Sequence, residues 1–217
     1  MKAPAVAGFV LAGGASSRMG REKAMLEFGG EPLFVRTARL VEAVAGSATI
    51  VSGGREYENL GLRVIEDDVA GAGPLGGIAT ALRVSEASWN LILACDLPYL
   101  TREWLEFVVK RALESQADAL IPMNVLGAEP LCALYHKCGE PLIRTAIEHG
   151  VRKVTDGLNY LRVEAIGPAE WKAFDSEGLL FKNMNSPEDY DEAKAKLEEH
   201  AGLKDPALGL NRKTSSE

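Results

Sequence analysis

A run of small, hydroxyl-bearing and basic residues, Leu11-Ala12-Gly13-Gly14-Ala15-Ser16-Ser17-Arg18-Met19-Gly20-Arg21-Glu22-Lys23, stands directly behind the first apolar segment of this chain. Paired glycines let backbone come close to a ligand, and serine hydroxyls with local N–H groups donate to phosphate oxygens. Arg18, Arg21 and Lys23 add positive charge, so the run reads as a phosphate cradle. It is neither a dinucleotide fingerprint, since no third glycine follows in register, nor a P-loop, since the Gly-Lys-Ser/Thr ending is missing. Two further places carry carboxylates. Trp89 to Ala94 is apolar and runs through Cys95 into Asp96-Leu97-Pro98, and residues 62–66 end in Glu66-Asp67-Asp68. A carboxylate just past a strand is a hard oxygen donor suited to Mg²⁺, which needs only one or two such ligands beside substrate phosphates and water. The alternatives are a capping role for Asp96 ahead of a helix near Thr101, and plain solvated charge for the acidic triplet.

The elements that must position these groups follow from hydrophobic period. Strand-length apolar runs occur at residues 5–11, 48–52, 62–66, 89–94 and 119–122, continuous in hydrophobicity and not alternating. Strands of that kind belong to a parallel sheet buried on both faces. Between them, Leu33, Thr37, Leu40, Val41 and Val44 share a helical face, as do Trp104, Leu105, Val108, Val109, Ala112 and Leu113. The expected fold is an α/β three-layer sandwich with a mostly parallel, Rossmann-like sheet. In such sheets ligands bind at the carboxyl ends of the strands, where the glycine loop, the acidic triplet and Asp96 must lie. The second half predicts a strand at 131–135, a helix at 140–148 and a strand at 161–166, extending the same sheet. Ser186-Pro187-Glu188-Asp189 predicts a capped helix through Leu197. Residues 1–200 are read as one domain and 201–217, poor in apolar anchors, as a tail.

Composition narrows the classes. The 217 residues carry 47% hydrophobic and 25% charged side chains and a formal net charge of -7. An acidic surface disfavours general binding to nucleic acid or anionic membrane, so an anionic ligand needs a local cationic site. Neither a cleavable leader nor a membrane span is read at the N-terminus, and three unpaired-looking cysteines fit a reducing, cytoplasmic compartment.

The glycine loop resembles the LAGGxSxRMGxxK signature of molybdenum cofactor guanylyltransferases, a branch of the nucleotide-sugar-type nucleotidyltransferases. The resemblance implies transfer of GMP from GTP to the phosphate of molybdopterin, with Mg²⁺, and a cytoplasmic enzyme met by other proteins of molybdenum cofactor synthesis. It implies an N-terminal half that binds GTP through Leu11, Ala12, Gly13, Gly14, Lys23, Ser52, Asp67 and Asp96. Arg18, Lys23 and Asp96 would be catalytic and Asp96 would hold the metal. Gly13 favours guanylyl over cytidylyl transfer, because cytidylyl relatives usually carry alanine there. Ser52 stands where members often have asparagine. Gly71-Ala72-Gly73-Pro74-Leu75-Gly76-Gly77 resembles the family's GPLxG segment, each glycine serving either as a turn or as a contact. The acceptor half is implied by Glu129-Pro130-Leu131-Cys132-Ala133-Leu134-Tyr135 and by Asn183-Met184-Asn185-Ser186-Pro187. Asn183 and Asn185 would meet the pterin, or else only shape the turn into the last helix. Transfer of cytidylyl or to another phosphorylated acceptor, and a silent nucleotide-binding regulator, are the rival functions.

Overall fold

Short apolar runs, each closed by a polar or glycine-rich turn, give the sheet its strands. The structure, a computed structural model, describes residues 4–12, 23–53, 57, 61–69 and 71–200, apart from the side chains of Lys23 and His200. Strand β1 (Val6–Leu11) precedes a 3-10 turn (Lys23–Met25), a small hairpin of β2 (Glu27–Phe28) and β3 (Glu31–Pro32), and helix α1 (Leu33–Ala45). Next come β4 (Ala48–Ser52), β5 (Arg63–Glu66), α2 (Pro74–Val84), β6 (Trp89–Ala94), α3 (Arg102–Glu114) and β7 (Ala119–Asn124). The chain continues through β8 (Gly127–Ala128), β9 (Cys132–His136), α4 (Glu140–Glu148), α5 (Val154–Gly157), β10 (Val163–Ile166), α6 (Pro168–Trp171) and α7 (Pro187–His200).

The sheet runs β10-β7-β9-β6-β1-β4-β5, with β8 attached to β7. Neighbours pair in parallel except β9, which is antiparallel to both β6 and β7, and β8, antiparallel to β7. Successive side chains point to opposite faces. Val10, Leu91, Leu93, Leu120 and Leu134 therefore face one layer with α1 and α3, whereas Phe9, Leu11, Ile92, Ile121 and Ala133 face α2 and α4. Both faces are covered, which is why these strands are apolar throughout and show no alternation. The expected α/β/α sandwich is the observed one.

Details differ from the periodicity reading. The strand expected at 119–122 extends to Asn124 and turns into a hairpin with β8. The strand expected at 131–135 is β9, and its reversed direction had no signature in the residues themselves. On α3, Trp104, Leu105, Val108 and Ala112 are buried, but Leu113 is 53% exposed. Nine residues at about 100° each carry Leu113 halfway round the helix from Trp104, away from the sheet. The N-terminus of α3 is capped by Thr101, whose side chain accepts from Trp104 N. The helix after Ser186 forms with its expected cap: Asp189 N donates to Ser186 Oγ at 3.2 Å, and Asp189 Oδ2 accepts from Ser186 N at 2.9 Å. It continues to His200, three residues past Leu197.

Candidate active site

Register fixes which residues share a rim. Leu11 lies opposite Val51 on one side and Ala94 on the other, and Ser52 lies opposite Glu66. The carboxyl ends of β6, β1, β4 and β5 are thus level, and they carry Asp96, Leu11-Ala12, Ser52 and Asp67 in that spatial order. At about 4.8 Å between strands, the row from β6 to β5 spans roughly 14 Å. Such a row can underlie an extended nucleotide. Gly13, Gly14 and Arg18 lie outside the described residues, and of Lys23 the structure describes only the backbone, in the turn that follows the loop.

Ala12 launches the glycine loop from a fixed point. Its N–H donates to Val51 O at 3.0 Å, and its carbonyl accepts from the Tyr57 hydroxyl, whose ring packs on Phe34. Ser52 is buried, and its carbonyl accepts from Asp67 N at 2.8 Å, joining the ends of β4 and β5. Asp67 is not loose surface charge. Its Oδ1 accepts from Val69 N at 3.0 Å and from the fully buried Thr80 hydroxyl at 2.9 Å, so α2 sets its orientation. Asp68 accepts from the same hydroxyl at 2.6 Å and pairs with Arg83 at 2.7 Å. The Thr80 bond, helped by Arg83, holds the Asp68 carboxyl below the ordinary carboxylate value despite desolvation. Glycines of the segment before and within α2 serve these contacts. Gly73, at φ +58°, forms the helix cap in a region that L side chains rarely adopt. At Gly76 a Cβ would come within 2.9 Å of Val69 O and 3.1 Å of Asp67 Oδ2.

Asp96 follows β6 directly and is half-buried. The cap of α3 belongs to Thr101, which removes the simplest structural role for Asp96. Its carbonyl accepts from Met184 N at 2.9 Å, a bond that carries the segment 183–185 to the end of β6. Met184 is buried with Phe28, Leu33 and Ala193, while Asn183 and Asn185 on either side of it are exposed. Ser186 and Asp189 perform the capping that an asparagine turn would otherwise supply. The two halves of the chain therefore meet at Asp96.

One group at this rim entered the sequence reading only as the first residue of the segment 129–135, with no role of its own. Glu129 precedes β9, and because β9 runs antiparallel its beginning lies level with the end of β6: Ala94 N donates to Leu131 O at 2.8 Å. Burial, then the charge of Asp96, push the Glu129 carboxyl from 4.5 up to about 7, against a hydrogen bond from the Asn124 side chain. An acid before a proline at a strand start was the available signal, but its nearness to Asp96 depends on the reversed strand.

The Asp96 carboxylate on a strand end is a hard oxygen donor of the kind that fits a divalent cation. Among the described residues no group of three or more His, Cys, Asp or Glu is arranged to hold a metal, so substrate oxygens and water would have to complete the shell at Asp96.

Comparison with known proteins bears on which nucleotide chemistry this rim serves. The model of the MobA-like NTP transferase domain matches residues 8–163, which include the glycine loop, Ser52, Asp67, Asp96 and Glu129. The chain belongs to that family. It is a nucleotidyltransferase with a mostly parallel, Rossmann-like sheet. It is 34% identical, over 88% of its length and 93% of the relative's, to a probable molybdenum cofactor guanylyltransferase of Pelotomaculum thermopropionicum. A probable molybdenum cofactor guanylyltransferase of Flavobacterium johnsoniae is 31% identical over 87% of this chain and 96% of its own. Among solved structures, molybdopterin-guanine dinucleotide biosynthesis protein A of Archaeoglobus fulgidus superposes with a TM-score of 0.76 at 28% identity, covering 89% of this chain and 99% of that one.

Proposed function

We propose that this member of the family transfers GMP from GTP to the phosphate of molybdopterin. The observation that carries the reading is the meeting at Asp96 of a nucleotide rim, Leu11-Ala12, Ser52 and Asp67, with the second-half segment 183–185. Relatives named for guanylyl transfer support the choice of substrates.

In the reaction an oxygen of the acceptor phosphate forms a bond to the α-phosphorus of GTP. The bond from that phosphorus to the α,β-bridging oxygen breaks, and its electron pair leaves with pyrophosphate. A phosphate monoester with a second pKa of about 6 is largely dianionic at neutral pH, so its oxygen needs no protein base. The protein's task is to hold the two phosphates in line and to offset charge. Leu11, Ala12, Gly13 and Gly14 line the nucleotide, Ser52 and Asp67 address its far end, and Arg18 and Lys23 offset charge on the α-phosphate and pyrophosphate. Asp96 would hold Mg²⁺, which supplies further charge neutralisation at the phosphates. Asn183 and Asn185 face the acceptor. The reaction belongs to the cytoplasm, and among the described residues no helix is long and apolar enough to cross a membrane. Proteins of the same cofactor pathway would deliver and remove the acceptor.

Pyrophosphate release with GTP and molybdopterin tests this directly, run beside CTP and beside a sugar phosphate. Release with GTP and molybdopterin is expected to dominate. Equal or better use of CTP overturns the guanylyl assignment, and binding of GTP without release supports a silent regulator. Asp96→Ala is expected to lower turnover by about a hundredfold to a thousandfold with the fold retained by circular dichroism. A wild-type rate in that variant removes Asp96 from the site.

A further inference from the structure

Glu129 differs in its surroundings from Asp67 on the same rim and from carboxylates elsewhere in the fold. Asp67 is tied to Thr80 and Val69, and Asp118, Glu140 and Glu164 are paired with arginines. Glu129 has no ion pair among the described residues, and its one side-chain hydrogen bond comes from the Asn124 amide to Oε1. Asn124 itself is oriented by the β7–β8 turn, its Oδ1 accepting from Leu126 N at 2.6 Å and Gly127 N at 3.0 Å. With the amide oxygen spent there, only the NH₂ group can face Glu129, and Glu129 is held as an acceptor. Oε2 has no hydrogen-bond partner among the described residues. A partly buried carboxylate next to the charge of Asp96, with accepting capacity left over, gains most from a ligand that brings N–H donors.

Place in the sheet says which ligand. β9 pairs with β6 on the side away from β1, so Glu129 lies across Asp96 from Leu11, Ser52 and Asp67. Guanine and a pterin both present a ring N–H beside an exocyclic amino group, two parallel donors that fit the fork of one carboxylate. The nucleotide occupies the β1, β4 and β5 side, which leaves the pterin. Resting on the function proposed above, we infer that Glu129, held by Asn124, is the specificity-determining residue of the acceptor subsite and accepts the paired N–H groups of the pterin's amino-oxo pyrimidine edge.

Fluorescence titration with 6-hydroxymethylpterin phosphate and with its lumazine counterpart, which has oxygen in place of the amino group, tests this on the full chain. Wild-type protein is expected to bind the pterin about ten to a hundred times more tightly, the worth of a charge-assisted bond. Glu129→Gln keeps the shape and an oxygen for the Asn124 bond, but offers the fork only one acceptor. In it the preference is expected to shrink to about threefold or less, with the Kd for magnesium-GTP unchanged. A preference kept in Glu129→Gln overturns the assignment, as does equal binding of the two rings by wild-type protein. A loss confined to GTP moves Glu129 to the nucleotide side and overturns it too. Thermal melting of the variant separates lost recognition from lost fold. Absence of pyrophosphate release from GTP and molybdopterin in wild-type protein counts against the functional reading, whereas turnover with an unaltered ring preference in Glu129→Gln counts against this inference alone.

Discussion

Asp67, Asp96 and Glu129 are three acids on one rim, and their surroundings give them different work. Asp67 is oriented from beneath by the Thr80 hydroxyl, which is fully buried in α2. The Asp96 carbonyl accepts from Met184 N, which joins the segment 183–185 to the end of β6. Glu129 feels burial first and Asp96 second, and its carboxyl rises from 4.5 to about 7. For an acid whose folded pKa is raised, the folded state binds the proton more tightly than the unfolded chain does. Its contribution to stability is present below the unfolded value and is lost as pH rises through the folded one. Between pH 5 and pH 8, wild-type protein is therefore expected to lose stability that Glu129→Gln retains. Melting temperatures of both at the two pH values check this, and a difference that does not grow toward pH 8 counts against the raised pKa. Position after an apolar strand, a local pattern, marked Asp96 and the acidic triplet 66–68, within which the family resemblance pointed to Asp67. Glu129 lies just before its strand, and a residue there reaches this rim only when the strand runs against its neighbours.

At the scale of elements, the rim is kept level by how closely α1 sits on the sheet. Gly8, in β1, has no side chain, and a Cβ there would lie 2.0 Å from Val41 Cγ1 and 2.6 Å from Ser47 O. The carbonyl belongs to the turn between α1 and β4 and cannot swing aside as a side-chain tip could. Gly8→Ala is expected to cost about 2–3 kcal/mol, the upper range for overpacking, read as a lower urea midpoint with unchanged slope. Since β1 leads into the glycine loop, the same change should weaken binding of the nucleotide that the proposed function requires. Stability equal to wild type would mean that α1 can retreat from the sheet. Element type was legible because both faces of the strands are covered and the helices carry apolar stripes. The β7–β8 hairpin was not, because its tip exposes Val125 and Leu126, at 88% and 93%, contrary to the usual polar turn.

At the scale of the molecule, one sheet takes strands from both halves of the chain. β9 and β7 extend it beyond β6, and the layer under α1 and α3 draws Val10 and Ile50 together with Leu180 and Phe181. Trp104, fully buried, stacks on Phe107 at 5.8 Å and meets Phe181 edge-on at 5.6 Å, so α3 and the segment before α7 share one aromatic cluster. Such continuity proposes a single domain over 1–200, and unfolding should be one transition with equal calorimetric and van't Hoff enthalpies. Two separable melting steps would show halves that fold independently.

The order of residue types along the chain was enough to establish the layered α/β class, the strands whose ends carry Ser52, Asp67 and Asp96, and the capped helix after Ser186. Those features depend on the period of burial and on turn chemistry, which act over a few residues. Which strand lies beside which, the reversal of β9, the Met184 bond to Asp96 and the approach of Glu129 to the same carboxylate were decided only in three dimensions. They join segments far apart in the chain, and the free energy that selects them comes from closing both faces of one sheet, a sum over many contacts that no single stretch of sequence contains.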